Sequence, residues 1–504
     1  MDVCGQIRGT KKALFNTKHN IMRTILTLVL FFGIYTVQAQ YQQMQAQPDT
    51  TYYQSRFSKI DNILNVLREF RFQAYIQPEW QKADTAGITS FAGGNFPALA
   101  NNRFILRRGR FKLSWQHEIV TKRGDSIKVG EFAFQFDASE KGFTAIKDFY
   151  GRLVDPWTGW FGIQGGIFLR PFGYETPAPP ATHESPEFSR MNQTIFPNEC
   201  ELGEALVIES PRTFKPVYLR FDASLVNGEG IGVGSQTGTY QSRKDFIGRL
   251  IVGKTVNVNN IKFGINASGS YYNGGVMQTT NNVFEIQSVG GINEFVNVTK
   301  GTADTAQKLK ADYKREYYGG HLQFNIDVKV SDKFSTTTML RGEIIAGQQP
   351  GSSSSSQVPL GTGNAAPSSD LYIRKFMGEM AYVTQSFHHK VGKQTFHHDI
   401  TFKLDIYDPN TKVSGTSILA SHGYNTTDIK FTTLGFGYTF CPTPYFKLVV
   451  WYDKVMNEST GLAGIYATDY TKNNVLTIRT QFMIDTWWFD KKKTANNNVI
   501  SRSY

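Results

Sequence analysis

The strongest constraint on the fold is a period of two that runs through most of the chain. In TFHHDITFKLDIY, 395–407, Phe396, Ile400, Phe402, Leu404 and Ile406 share one parity. His397, Asp399, Thr401, Lys403, Asp405 and Tyr407 share the other. Successive side chains of a strand point to opposite faces, so this segment is a strand with one apolar and one polar face. The split recurs at 103–119, where Phe111, Leu113 and Trp115 oppose Arg108, Arg110, Lys112, Ser114, Gln116 and Glu118. It recurs again at 130–138, 216–226 and 474–484.

Sixteen segments read as strands: 70–79, 103–119, 127–137, 143–154, 159–171, 203–210, 216–227, 245–254, 260–272, 313–328, 334–346, 371–384, 395–407, 428–440, 444–455 and 473–485. Many have ten residues or more. A tilted strand needs roughly 9–11 to cross a bilayer, whereas strands of soluble domains average about 5–6. The connections mostly alternate between short and long. Short ones include 120–126, 155–158, 211–215, 255–259, 329–333, 385–394 and 441–443. Long ones include 80–102, 172–202, 228–244, 273–312, 347–370, 408–427 and 456–472; the link 138–142 is short where a long one is due. Short periplasmic turns alternating with longer outer loops mark an outer-membrane barrel. Closure also removes the strand edges that lipid cannot satisfy. No repeat of about 40–50 residues points to a propeller. The expectation is an all-β chain folded over 70–486 as a closed antiparallel transmembrane β-barrel of about 16 strands.

The flanks read differently. MRTILTLVLFFGIYTVQAQ, 22–40, has a basic start, an apolar core and a cleavage-like triplet ending at Ala39. It reads as a signal peptide covering 1–39, with Met22 as the start, and implies export to the outer membrane of a Gram-negative cell. Without 1–39, 49 basic residues stand against 41 acidic ones, with no basic stripe of the kind nucleic acid requires. Segment 40–69 reads as a periplasmic linker and short amphipathic helix, and 487–504 as a periplasmic basic tail. Cys200 is expected in an outer loop and Cys441 in a periplasmic turn, so no disulfide joins them. Tyr271 and Tyr272, Tyr317 and Tyr318, Trp157 and Trp160, and Trp487 and Trp488 fall at strand ends, as interfacial girdles would.

Several stretches resemble the phosphate-selective porin O and P family: RFILRRGRFKLSW (103–115), GGIFLRPFGYE (165–175), VNGEG (226–230), KDFIGRL (244–250), EIIAGQQPG (343–351), LDIYDPNTKVSG (404–415) and DIKFTTLGFGYTF (428–440). The resemblance spans about residues 70–485. It implies a sixteen-stranded, usually trimeric, outer-membrane channel for small anions, surrounded by outer-membrane lipid. Two features depart from the family. Glu201 stands where its motif has Arg, and the last clear strand is followed by a polar tail.

An anion path needs cations on the lumen wall, and guanidinium groups suit phosphate because they stay charged and donate in a planar fork. By parity the candidates are Arg108, Arg110, Lys112, Arg170, Arg220, Arg249, Arg341 and Arg479. The first three form a ladder at ~6.6–6.8 Å spacing. The competing reading pairs these cations with lumen acids such as Glu131, Asp137, Asp222, Glu343, Asp399 and Asp405. Arg107 falls on the lipid-side parity and is expected at the interface. Loop 172–202 either folds into the barrel or stays outside; both placements are open.

Enzyme signatures are lacking. HESPE, 183–187, has no second metal-ligating His, GEGIGVG, 228–234, lacks a strand–helix frame, and there is no Gly-x-Ser-x-Gly. The chain is therefore expected to be no enzyme and to need no cofactor; the resemblance implies a channel that passes small anions and assembles as a homotrimer. A general or sugar-conducting porin and a surface adhesin are the rivals.

Overall fold

The computed structural model describes residues 66–120, 126–139, 145–197, 199–211, 214, 217–228, 242–277, 282–299, 312–359 and 369–487. The chain divides into two units, 1–67 and 68–504. The segments expected to be a signal peptide, 1–39, and a basic tail, from 488 on, lie outside the described residues, as does all but the end of the expected amphipathic helix. Among the described residues the second unit is one sheet of eighteen strands. They are β1 (Phe70–Ala83), β2 (Asn102–Val120), β3 (Ser126–Asp137), β4 (Ala145–Val154), β5 (Phe161–Leu169), β6 (Cys200–Glu209), β7 (Tyr218–Val226), β8 (Asp245–Val258), β9 (Ile261–Met277), β10 (Val283–Val289), β11 (Ile292–Asn297), β12 (Asp312–Lys329), β13 (Phe334–Gly351), β14 (Leu371–Val391), β15 (Gln394–Asp408), β16 (Phe431–Thr443), β17 (Phe446–Asn457) and β18 (Val475–Trp487).

Sixteen of these close a barrel. Neighbours in sequence pair antiparallel, β9 passes directly to β12, and β1 pairs with β18 from Arg71↔Trp487 to Ala83↔Val475. The sixteen expected strands are all present, and many run longer than the parity pattern shows. The remaining two, β10 and β11, form a hairpin inside the long connection 278–311, and β10 runs parallel to the start of β14. The sequence reading left that connection as a loop. Its strands are only 7 and 6 residues long and are not among the sixteen that close the wall, so the rule that sets the wall's alternation does not bind them.

Each of the sixteen barrel strands sends at least one large apolar side chain outward, among them Ile76, Leu113, Phe132, Phe221, Leu250, Phe324, Phe402, Phe436 and Phe482. Their opposite-parity neighbours are buried and mostly polar. This inversion is the mark of a transmembrane barrel. The short turns are tightly built. In 155–160 the Asp155 carboxylate accepts the amides of Trp157, Thr158, Trp160 and Phe161 at 2.6–3.2 Å. Burial opposes ionisation, but these amides and the Thr158 hydroxyl together outweigh it and draw its pKa down to about 2. Between β8 and β9 Asn259 takes a positive φ of 53°, which a two-residue hairpin of this hand requires.

Three local expectations change. Arg107 is not at the lipid interface: β2 bulges there, so that Gln77 pairs with Arg108 but Pro78 pairs with Leu106. The extra residue turns Arg107 inward beside Arg108. Cys200 begins β6 and Cys441 lies within β16; both are buried, and neither is in a disulfide. The tyrosine pairs divide. Tyr271 and Tyr318 sit together on the outer face, whereas Tyr272 and Tyr317 are fully buried and stack at 5.0 Å inside.

Candidate functional site: the lumen and its inserted loop

The 170–199 connection turns into the barrel. Its first bend uses Gly173 at φ +62°, where an added Cβ would collide with the Glu343 carboxylate. That carboxylate, on β13, accepts the amides of Tyr174 at 2.8 Å and Glu175 at 3.1 Å. Arg249 on β8 donates to the Gly173 carbonyl at 3.1 Å. The Tyr174 ring then lies between His321, stacked at 4.7 Å, and the Arg341 guanidinium at 3.9 Å.

Farther on, the loop runs from β13 past β14 to β17 and β18. Arg341 holds Glu184 at 2.9 Å, and Ser185 hydrogen-bonds the Tyr382 hydroxyl at 2.6 Å. Lys447 on β17 donates to the His183 carbonyl, and Gln481 on β18 to that of Ala181. A short helix, α1 (Arg190–Ile195), follows, with Ser189 as N-cap accepting from Asn192. Its first amide donates to Asp405 on β15 at 2.9 Å. The chain returns past Glu199, which pairs with Arg110, and enters β6.

Polar clamps alone would contribute little net stability, because desolvation offsets most of what buried ion pairs gain. The larger anchor is apolar. Phe172, Met191, Ile195 and Phe196 pack against inward-facing Tyr272, Tyr317, Phe376, Met380 and Tyr407 to form a core inside the barrel. That half of the lumen is filled as a soluble domain would be. On the other side of the loop, against β2–β9 and β12, a cavity of about 410 Å³ remains. Its charged lining is Lys112, Lys128, Arg152, Arg220 and Arg249 against Glu131, Asp148, Glu209 and Asp222, with Tyr150, Tyr174, Tyr218 and His321 beside them.

The eight cations expected in the lumen are all on its side of the wall, and each has a carboxylate partner. Arg108 pairs with Glu187 at 2.9 Å; Arg110 with Asp137 at 3.0 Å and Glu199 at 3.2 Å; Lys112 with Asp148 at 2.7 Å. Arg170 pairs with Glu201 at 2.6 Å, which gives the residue that departs from the family motif a partner. Arg220 and Arg249 share Asp222, both at 2.9 Å. Arg341 pairs with Glu184, and Arg479 with Glu187 at 2.6 Å and Glu79. Only Lys112, Arg220 and Arg249 of the eight line the cavity. The ladder is therefore divided: Arg108 and Arg110 hold the loop, and Lys112 faces the open side. Lys128 and Arg152 were missed: Arg152 sits at lumen parity on β4, whereas Lys128 shares the parity of lipid-facing Phe132 and is turned inward by the register shift of β3 against β2 that skips Val129.

The loop's own titratable groups follow their surroundings. Burial opposes ionisation of Glu187, but Arg107, Arg108 and Arg479 outweigh it and hold the carboxyl well below the usual range. The same balance, with Arg110 as main partner, brings Glu199 to about 2. Burial lowers His183 to about 3, so it stands neutral at pH 7; Nε2 faces the Ala178 carbonyl at 3.3 Å.

No family model matches the chain, and no curated protein sequence does. Among solved structures the chain is similar to OprB of Pseudomonas putida at high pH, with 10% identity over 86% of this chain and 97% of that one and a TM-score of 0.47. It is similar to OmpT, an outer membrane protein of Vibrio cholerae in trimer form, with 8% identity over 82% and 99% and a TM-score of 0.42. An anion-selective porin from Comamonas acidovorans gives 8% identity over 82% and 99% and a TM-score of 0.40.

Proposed function

We propose that this chain is an outer-membrane porin that passes small anionic solutes by passive diffusion, in the manner of the phosphate-selective porins whose motifs it resembles. The observation that carries this reading is the cavity of about 410 Å³ left between the inserted loop and the β2–β9 wall, lined by five cations and four carboxylates. A path bounded by water-facing charge inside an apolar sleeve lowers the barrier for ions, and the sign in excess sets the preference. The groups assigned to the path are Lys112, Lys128, Arg152, Arg220 and Arg249. Because every one of the eight candidate cations has a carboxylate partner, the preference is modest, and this specific pairing is what favours a general porin as the second reading. A homotrimer belongs to the proposal: β4–β7 have only 9–10 residues each, the side that neighbouring copies would cover.

The test is reversal potential in a planar bilayer under chloride and phosphate gradients. Wild type is expected to prefer anions. Lys112→Gln/Lys128→Gln leaves three cations against four carboxylates and is expected to reverse the sign. Absence of conductance refutes the porin reading; an unchanged sign in the double variant refutes the assigned path.

A further inference from the structure

Glu187 is the most heavily bound carboxylate of the inserted loop. Arg107 grips it with two hydrogen bonds of 2.9 Å, Arg108 with two of 2.9 and 3.2 Å, and Arg479 with one of 2.6 Å. Five donors from three guanidiniums converge on one carboxylate, more than its roughly four lone-pair directions accommodate. The third guanidinium is there because β2 carries an extra residue at Arg107; a regular strand would turn that side chain toward lipid.

Two features set this cluster apart from a structural ion pair. Around Glu187 itself the cations are in local excess: Arg107, Arg108 and Arg479 face Glu187 and Glu79, and the balancing carboxylate, Glu199, is held by Arg110 on the next rung. It is also approachable, since Arg107 keeps 30% of its side chain exposed while Arg108 and Arg479 are buried. A group that needs three guanidiniums for one carboxylate is built as an oxyanion receptor, and its present occupant is tethered to a loop rather than to the wall.

We propose that Arg107, Arg108 and Arg479 form a carboxylate-binding site that the loop's own Glu187 occupies as a built-in competitor, so that a dissolved carboxylate displaces Glu187 and unlatches the loop. The wall of the barrel supplies all three donors, from β2 and β18, and stays in place when the loop leaves. The ligand class is fixed by the occupant: a carboxylate that enters beside Arg107 and meets planar forks. Displacement removes one end of the loop's grip on β2 and β18, while its apolar anchor at Phe172 remains. The loop then loosens around residues 181–188 rather than leaving the lumen. Its meaning for conduction rests on the porin reading above; the binding does not.

Two measurements on the full barrel in detergent micelles test this. First, Glu187→Ala creates a hole the size of acetate. Acetate is expected to bind this variant at least tenfold more tightly than wild type by calorimetry, and added Arg107→Gln is expected to remove the gain. Equal affinity in wild type and Glu187→Ala, or a gain that survives Arg107→Gln, overturns the proposal. Second, wild type is probed without a variant. Acetate is expected to raise proteolysis within 181–188 several-fold over chloride at matched ionic strength, and equal rates overturn the latch. If Glu187→Ala does not fold, the second measurement decides. A chain that binds acetate in this way yet never conducts would refute the porin reading and leave this site standing.

Discussion

Phe172→Ala is the perturbation that separates a packed loop from a merely hydrogen-bonded one. Phe172 is fully buried, with ring centroids of Phe196, Tyr317 and Tyr272 at 5.2, 6.3 and 6.5 Å. Its seat is Gly319 on β12, where an added Cβ would come within 2.9 Å of the ring. The hole left by truncation has little freedom to collapse. Tyr317 is fixed by Arg315 and Gln349, and Tyr272 by Asp245. Truncating a buried Phe costs about 3–5 kcal/mol, and the anchored tyrosines place this site in the upper part of that range. Since about 1.4 kcal/mol is tenfold, the undocked loop should become roughly a hundred- to several-thousand-fold more populated. Cys200, which follows the loop, reports this: it is buried, with its sulfur 4.0 Å from Asp148. In a Cys441→Ser background, alkylation of Cys200 in the folded barrel should accelerate in proportion to the open population. Single-channel conductance should rise with it. An unchanged alkylation rate and conductance in a folded Phe172→Ala barrel would refute the view that the apolar half of the lumen anchors the loop.

Acid should loosen the loop in two stages. His183, lowered by burial to about 3 despite Glu184 beside it, binds a proton at about 6.5 once undocked; docking is at full strength above that pH and weakens as pH falls, by about 2 kcal/mol at pH 5. More frequent large-conductance openings at pH 5 than at pH 7, abolished in His183→Gln, is the expected result. Glu199, depressed to about 2 by Arg110 against the pull of burial, contributes above the ordinary carboxylate range and is lost as pH approaches 2, so a second transition belongs there. Gly166→Ala should prevent assembly, because its φ is +125° and an added Cβ would fall on the Phe149 carbonyl. Gly165→Ala, which meets only the Glu204 side chain at 3.9 Å, should give a normal heat-modifiable barrel on a gel.

The barrel was legible because lipid imposes one rule on sixteen separate strands, and each obeys it within its own ten or so residues. Leu404 and Lys403 betray their faces with no knowledge of their neighbours. The bulge at Arg107 was not legible in this way. A single inserted residue leaves composition untouched and reverses parity only relative to a register that the partner strand sets. The hairpin β10–β11 escaped because its strands are not among the sixteen that close the wall. The inserted loop was left between two placements for another reason: Phe172, Met191, Ile195 and Phe196 mark it as needing a core, but the core lies on Tyr407, which parity assigns to the polar wall, and on Tyr272 and Tyr317, which read as girdle residues. The signal was present as a mismatch, apolar residues in a loop and aromatic ones at lumen positions, and each makes sense only beside the other.

The same non-locality explains the fate of the cations. Parity placed all eight on the lumen side, yet parity holds no information on which carboxylate stands across the lumen, since Arg341 meets Glu184 from 157 residues away and Arg479 meets Glu187 from 292. A lumen lined by unpartnered guanidiniums would repel itself at short range and hold any anion too tightly to release it. Pairing each cation with a carboxylate removes both problems and leaves selectivity to small imbalances. Around the cavity the imbalance is five against four, and immediately around Glu187 it is three against two, with Glu199 on the next rung as the balancing charge. Both excesses are positive and both lie beside the inserted loop, one on its open side and one at its latch. A barrel built this way would sense the charge of its solute twice, in the field along the path and in the grip on the loop that narrows it. Neutralising the two excesses separately, through Lys112→Gln/Lys128→Gln and through Arg107→Gln, should therefore give distinct phenotypes: reversed selectivity with normal gating in the first, preserved selectivity with an easily opened loop in the second. A single shared phenotype would mean that path and latch are one site.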